Sequence, residues 1–360
     1  MAKIPSVNEV RTIVERALAR SGYSLALSDE QLTPVYAGDD DKILYGLGGL
    51  ERSDSFVYDL FNTAAPNRRA EGTKLYHFKT LKFLQSILET CSIQASNLDS
   101  NSQNDHAEFE EFIRRYSNLY PLVPKDYEKK RNSVIPPAER PVDDYRKDTC
   151  ILCFTQNYDD PRFWEEYVSN SNGVALEFNF LKFKDEIFKG KVKSGHDYER
   201  SVKSLYELRD VCYDSTGYLF DFINEITYYL YKNYGLLFFI PGSTKMAAWY
   251  KRARYTWEKE TRLVFDLQYI DFLNKKRDEF FKVDEGTSKP GERTYVVVPF
   301  SNSKHAATSS RLFDVELSRI IVGENVSNDD FDKYSKLAHQ YFDRIDVVRY
   351  SDLKAKTGVK

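Results

Sequence analysis

Apolar residues recur along this chain at helical spacing in some stretches and alternate with polar ones in others. The switches between the two patterns mark out the elements. Val10, Ile13, Val14, Ala17 and Leu18 share one helical face, and Ser21-Gly22 closes that helix. Lys74-Leu-Tyr-His-Phe78 is rich in β-formers and predicts a strand. Thr80 stands where it can cap the next helix, whose stripe is Leu81, Leu84, Ile87 and Leu88. Cys91, Ile93 and Ala95 alternate with polar residues as a second strand. Cys150-Ile-Leu-Cys-Phe-Thr155 reads as a buried one. Asp159 to Asn170 predicts a helix carrying Trp164 and Tyr167. Gly173 to Phe180 alternates, with Val174, Leu176 and Phe178 on one face. Residues 198–235, rich in Tyr, read as helical, and 244–257 as helix or turn. Strands at Thr261–Phe265, Tyr295–Phe300, Arg319–Val322 and Asp346–Tyr350, with a helix over 329–341, complete the pattern.

Breakers and charge runs divide these elements. Asp39 to Lys42 is an acidic surface turn, and residues 120–148 form a proline-bearing, charged excursion. Ala64 to Gly72 is polar and breaker-rich. It separates an N-terminal helical extension, 1–70, from a main α+β domain, 71–360, with a helical insertion at about 198–257. Strands and helices do not alternate regularly. No Gly-x-Gly-x-x-Gly or Walker-type loop follows a strand, which argues against a doubly wound sheet. The expected architecture is α+β: a core of short strands in a mixed or split sheet, with flanking helices.

Composition narrows the function classes. The 360 residues include 26 Tyr, 24 Phe and 3 Trp, too many aromatics for a disordered chain. Net charge is −3, from 52 basic and 55 acidic residues, so bulk charge gives no support for a dedicated nucleic-acid binder. Cys91, Cys150, Cys153 and Cys212 lack the spacing of a disulfide scaffold and are expected to be reduced, mostly buried thiols. The N-terminus has no apolar signal core, and no stretch is long enough to span a membrane. The cytoplasm is the default location.

Five constellations could carry chemistry. In Trp257-Glu-Lys-Glu-Thr-Arg262, strand alternation would put Glu258, Glu260 and Arg262 on one face. That face is either a polar cleft wall or a solvated edge with a salt bridge. Tyr76 and His77 point to opposite faces of their strand, so one of them faces the core and the other a cleft. Asp105, His106 and Glu108 read as metal ligands or as a capped helix start, and no further Cys/His array completes a metal set. Cys150-x-x-Cys153 lies in a buried strand, where neither a redox nor a zinc pair is favoured. Trp164 and Tyr167, three apart on a helix, are core residues or an aromatic wall for a flat ligand.

In order, Leu75-Tyr-His-Phe78, Ser86-Ile-Leu88, Asn104-Asp-x-x-Glu108, Cys153-Phe-Thr155, Trp164-x-x-Tyr167, Gly173-Val-Ala-Leu-Glu-Phe178, Glu258-x-Glu260-x-Arg262 and Ile320-Ile-Val-Gly323 resemble a bacterial family. It is known only as domain of unknown function 2971. The resemblance covers roughly residues 73–325, and His106 stands where that family usually has Pro. The family carries no settled activity, and its members often lie near mobile elements and phage-defence genes. A second, looser frame resembles the ADP-ribosyltransferase superfamily: Tyr76-His77 on a first strand, a helix, Thr155 on the next core strand, and Glu260 on a later one.

That frame implies NAD as substrate. His77 would grip its ribose or pyrophosphate, with Thr155 or Tyr167 beside the nicotinamide. Glu260 would hold the ribose 2′-hydroxyl, with Glu258 upstream. Tyr76, Trp164 and Arg262 join the expected cofactor-binding set. An effector of this kind, a toxin or phage-defence protein, would modify a protein or nucleic acid, or hydrolyse NAD. Two readings from other classes stand beside it. One is a metal-dependent nuclease or hydrolase built on Asp105, His106, Glu108 and the Glu pair. The other is a non-catalytic sensor or interaction module using residues 198–235 and the N-terminal extension.

Overall fold

The computed structural model describes residues 4–20, 26–37, 43–47, 66–98, 149–168, 170–191, 197–213, 218–235, 237–238, 247–267, 282–285, 294–305, 310 and 312–357. The chain divides into two compact units. One comprises Met1–Pro66, Asp105–Tyr145 and Cys212–Arg254; the other comprises Asn67–Asn104, Arg146–Val211 and Tyr255–Lys360. The expected turn at Asp39–Lys42, the excursion at 120–148, and Asp105, His106 and Glu108 lie outside the described residues.

In the first unit, the predicted helix forms at Val7–Arg20 and buries Val10, Val14, Ala17 and Leu18. It packs against the helix Tyr218–Tyr234. The pair is tied by Arg20 to Glu225 at 2.8 Å and by Arg16 donating to the Tyr229 hydroxyl at 3.0 Å. Three short strands, Pro34–Ala37, Ile43–Leu47 and Leu237–Phe238, form a small sheet.

The second unit is built on a ten-stranded sheet. Its elements in chain order are β1 (Thr73–Thr80), α1 (Leu81–Thr90), β2 (Ser92–Asn97), β3 (Thr149–Thr155), α2 (Pro161–Glu166) and β4 (Gly173–Phe183). A separate hairpin of β5 (Ile187–Lys191) and β6 (Asp197–Ser201) follows. Then come β7 (Tyr206–Asp210), β8 (Glu260–Asp266), β9 (Lys282–Glu285), β10 (Thr294–Pro299), β11 (Phe313–Val322), α3 (Asn328–Tyr341), β12 (Asp346–Arg349) and α4 (Tyr350–Thr357). The sheet runs β9-β10-β2-β3-β1-β4-β11-β12, and β8 pairs with β3 and β7. All its ladders are antiparallel except β11 with β12.

The sheet forks at β3. One edge of β3 pairs with β8 along its whole length, from Thr149↔Asp266 to Thr155↔Glu260. The other edge is shared. β2 takes Cys150 and Ile151, and β1 takes Thr155 alone, opposite Tyr76. α1 joins the two arms of the fork. Its apolar stripe, Leu84, Ile87 and Leu88, seals the main core with Leu152, Phe154, Leu176, Phe178 and Leu263. The opposite face of the β1–β4–β11 arm packs on α2 and α4 through Trp164, Ala175, Ile321 and Tyr350.

Most predicted strands and helices form. The helical reading of 198–235 is corrected: the described helix is Tyr218–Tyr234, and 197–201 and 206–210 are strands. In Tyr206-Glu-Leu-Arg, Tyr206 and Leu208 enter the core while Glu207 and Arg209 turn away. That alternation is what the edge of β8 needs in a partner. Thr80 does stand at the N-cap of α1, but its side chain makes no capping bond.

Where α2 returns to β4, the chain is tightly constrained. Asn170 and Ser171 both take left-handed backbone, with φ of 57° and 63°. The Gly323 amide reaches over to the Gly173 carbonyl at 2.9 Å. A Cβ on Gly323 would lie 2.1 Å from the Ser171 carbonyl oxygen, a backbone atom that cannot rotate away. Gly323→Ala is therefore expected to lower stability by about 3 kcal/mol, read from urea unfolding. An unchanged midpoint would mean this loop is not packed against β11's end.

Candidate ligand site

Cross-strand register assembles a polar row from distant parts of the sequence. Tyr76 lies opposite Thr155, Thr155 opposite Glu260, and on the other side Tyr76 lies opposite Glu177 and Glu177 opposite Arg319. Residues directly opposite share a face, so all five project from one side of the sheet. The Tyr76 hydroxyl donates to Glu177 Oε2 at 3.0 Å. Ser318 donates to Glu177 Oε1 at 2.8 Å, and Lys74 and Arg319 each approach the carboxylate to 3.5 Å. Burial first, then the Glu177 charge and hydrogen bond, hold the Tyr76 phenol above its ordinary range.

The Glu-x-Glu-x-Arg segment does not lie on one strand as alternation predicted. Residues 253–258 form a 3-10 turn, Lys259 takes φ of 43°, and the strand starts at Glu260. Glu258 is thereby rotated off the strand face. Its Oε1 accepts the Tyr167 hydroxyl at 2.8 Å, and its carbonyl accepts Thr155 Oγ1 at 2.7 Å. Glu258 is 3% exposed. Glu260 keeps its strand position and is gripped by its own neighbour: Arg262 Nε donates to Oε1 at 2.7 Å and Nη2 to Oε2 at 3.3 Å.

A second pair that the sequence reading passed over sits alongside. Arg209 on β7 lies directly opposite Arg262, and its Nε donates to Glu207 Oε2 at 2.5 Å. All four side chains are buried. Two guanidinium groups facing each other repel unless each is neutralised, and here each has a carboxylate two residues away on its own strand. The signal was present as a repeated pattern, Glu207-Leu-Arg209 and Glu260-Thr-Arg262.

Aromatic rings line the α2 side. Phe163 stacks on Phe78 at 4.9 Å, approaches Trp257 at 4.9 Å and Tyr167 at 5.6 Å. The Arg162 guanidinium lies over Trp257, 4.4 Å from its centroid. Tyr167 and Trp257 stay half-buried and can present ring surface to a ligand. Trp164 cannot. It is 1% exposed, sandwiched against Tyr350, with its indole N–H donating to the Tyr158 carbonyl at 2.8 Å.

His77 is also displaced from its expected role. It points to the face opposite Tyr76, Thr155 and Glu260, with its ring edge toward Phe154 in the main core. It therefore does not share a cleft with Glu260. Its Nδ1 lies 2.6 Å from the Cys153 carbonyl, at the point where β1 parts from β3. Burial above all, and then the Lys79 charge, pull the imidazole down to about 3, so it is neutral near pH 7 and Nδ1 carries the proton to that carbonyl. The ring thus closes the crotch of the fork. Cys150 and Cys153 are free thiols on β3, the first buried and the second half-buried. Among the described residues, no group of three or more His, Cys, Asp or Glu side chains could hold a metal ion. No described helix is long and apolar enough to cross a membrane.

Residues 163–263 match a known family model, DUF2971. Its description is protein of unknown function. The match is narrower than the resemblance read from the motifs. It runs from Phe163 on α2 to Leu263 on β8, and so contains Tyr167, Glu258, Glu260, Arg262 and the Glu207–Arg209 pair. No curated protein and no solved structure matches the chain.

Proposed function

We propose that the protein binds NAD and breaks its nicotinamide–ribose bond, passing ADP-ribose to an acceptor or to water. The observation that carries this reading is Glu258: a buried carboxylate held by the Tyr167 hydroxyl at 2.8 Å, beside two half-buried rings and the Tyr76–Thr155–Glu260 row. An ADP-ribosyltransferase-like reading of the fold would take the fork at β3 as the parting of its core sheet. Tyr76 stands on that row in the place first given to His77.

The chemistry follows from these groups. As the C1′–N1 bond breaks, its electron pair passes to the nicotinamide nitrogen and the ribose becomes oxocarbenium-like. A carboxylate fixed in a water-poor site stabilises that charge. Glu258, beside the Tyr167 and Trp257 rings, is placed for this role, whereas Glu260 is gripped by Arg262 on its own strand. An oxygen nucleophile then bonds to C1′ and gives up its proton, for which Glu258 is the nearby base. Trp257 and Tyr167 supply ring faces for the nicotinamide. The acceptor is a protein, a nucleic acid or water. A role as toxin or phage-defence effector would follow from the same chemistry.

Titrating NAD⁺ against tryptophan fluorescence tests the binding step. Quenching is expected, and most of it should vanish in Trp257→Phe, because Trp164 and Trp249 are both buried. Tyr167→Ala should weaken binding by roughly tenfold, the scale of one lost aromatic contact. Neither quenching nor heat of binding with the wild type would end the proposal.

A further inference from the structure

Behind the fork, on the face opposite Glu260, two cations gather without a counter-charge among the described residues. Lys79, half-buried at the end of β1, has no hydrogen bond and no ion pair among the described residues. Among the described residues, the acid-type group acting on it is the Cys153 thiol. Lys82 opens α1 and is likewise without an ion pair among the described residues. Both ammonium groups converge on one ring: Lys82 Nζ is 4.7 Å and Lys79 Nζ 5.6 Å from the centroid of Phe83. That ring is 47% exposed.

Two further polar groups at this spot lack partners. His77 Nε2, on the same strand face as Lys79, is buried with no hydrogen bond, and so is Thr80 Oγ1. Thr80 is the N-cap of α1, yet its side chain accepts no hydrogen bond from the first-turn amides. Those amides form the positive end of a ten-residue helix. Glu89, on the same helix, is engaged with Gln85 at 2.8 Å. A half-buried ammonium that no described residue neutralises is unfavourable there, which points to a group supplied from outside.

We propose that Lys79, Lys82 and the N-terminus of α1 bind a phosphate group of a phosphorylated ligand. Phosphate fits because two point-charge donors and a helix N-terminus together match a multiply charged anion with several acceptor oxygens. The exposed Phe83 ring offers a stacking surface beside it. The site is separate from the Glu258 site, since the two use opposite faces of the sheet, and it stands whether or not NAD is the substrate there.

Calorimetric titration at low ionic strength tests it, with inorganic pyrophosphate as one probe and a short single-stranded oligonucleotide as the other. Lys79→Met keeps the aliphatic stem and removes the charge. It should weaken phosphate binding by about tenfold or more. Lys82 is exposed, so Lys82→Gln is safe for folding, and it should weaken binding by roughly threefold. Lys79→Met should also melt at a higher temperature than the wild type without ligand, because it removes an unneutralised charge. Pyrophosphate binding that falls in both variants assigns a free phosphorylated ligand. Oligonucleotide binding alone, with the same dependence, assigns nucleic-acid backbone. Binding of neither probe, or equal binding by wild type and both variants, overturns the proposal.

Discussion

Arg262→Met should destabilise the protein by about 3–5 kcal/mol, more than a typical core truncation of one methylene. The reason is what it leaves behind. The Glu260 side chain is 5% exposed and receives two hydrogen bonds from the Arg262 guanidinium. Met fills similar volume but cannot donate, so a buried carboxylate loses its bidentate partner. The loss extends sideways, because Arg262 faces Arg209 across the ladder, and Arg209 is held by Glu207. Four charges arranged as two internally neutral pairs become three. The companion double variant Glu260→Gln/Arg262→Met removes charge from both positions and should recover most of the deficit. Urea unfolding of the three proteins checks this. A loss of under about 1 kcal/mol in the single variant would mean the pair is hydrated and behaves as a surface salt bridge.

How much of this was legible beforehand depended on the range of the interaction. Alternation in Gly173–Phe178 and the stripe Leu81, Leu84, Ile87, Leu88 identified β4 and α1, because each of those faces the core along its length. Tyr206–Asp210 misled because its aromatic and charged residues sit within a Tyr-rich stretch. What makes it a strand is the free edge of β8, far away in sequence. α4 was missed because its amphipathic signal is weak: among its described side chains, Tyr350 is the deeply buried one.

The site shows the same division. Glu260 and Arg262 were placed on one face by strand period alone, and that holds. Glu258 departs from it because Lys259 adopts left-handed backbone, which no residue type at that position announces. The partnership of Tyr167 with Glu258 spans 91 residues of sequence and arises only when α2 folds over the end of β8. Tyr76 and His77 were known to face opposite ways, but their faces could be assigned only from the register Tyr76↔Thr155. Trp164 and Tyr167 lie three apart and yet differ in fate. Tyr350 covers the first, while the second reaches past the helix end to a carboxylate.

The second large effect concerns catalysis. Gln at position 258 is isosteric with Glu, and its carbonyl can still accept the Tyr167 hydroxyl, so packing and folding should be retained. What it lacks is the negative charge that would stabilise an oxocarbenium-like ribose and the basicity that would take the nucleophile's proton. Glu258→Gln is therefore expected to lower the rate by about 10²–10³-fold. Glu260→Gln should act mainly through stability, since Arg262 already occupies that carboxylate.

The direct measurement is nicotinamide release from NAD⁺ by the wild-type protein and by Glu258→Gln, each with and without cell extract as a source of acceptor. The account predicts release by the wild type that falls to near background in the variant while both proteins unfold at the same urea concentration. Release that persists unchanged in Glu258→Gln, or no release by the wild type under any of these conditions, would contradict it.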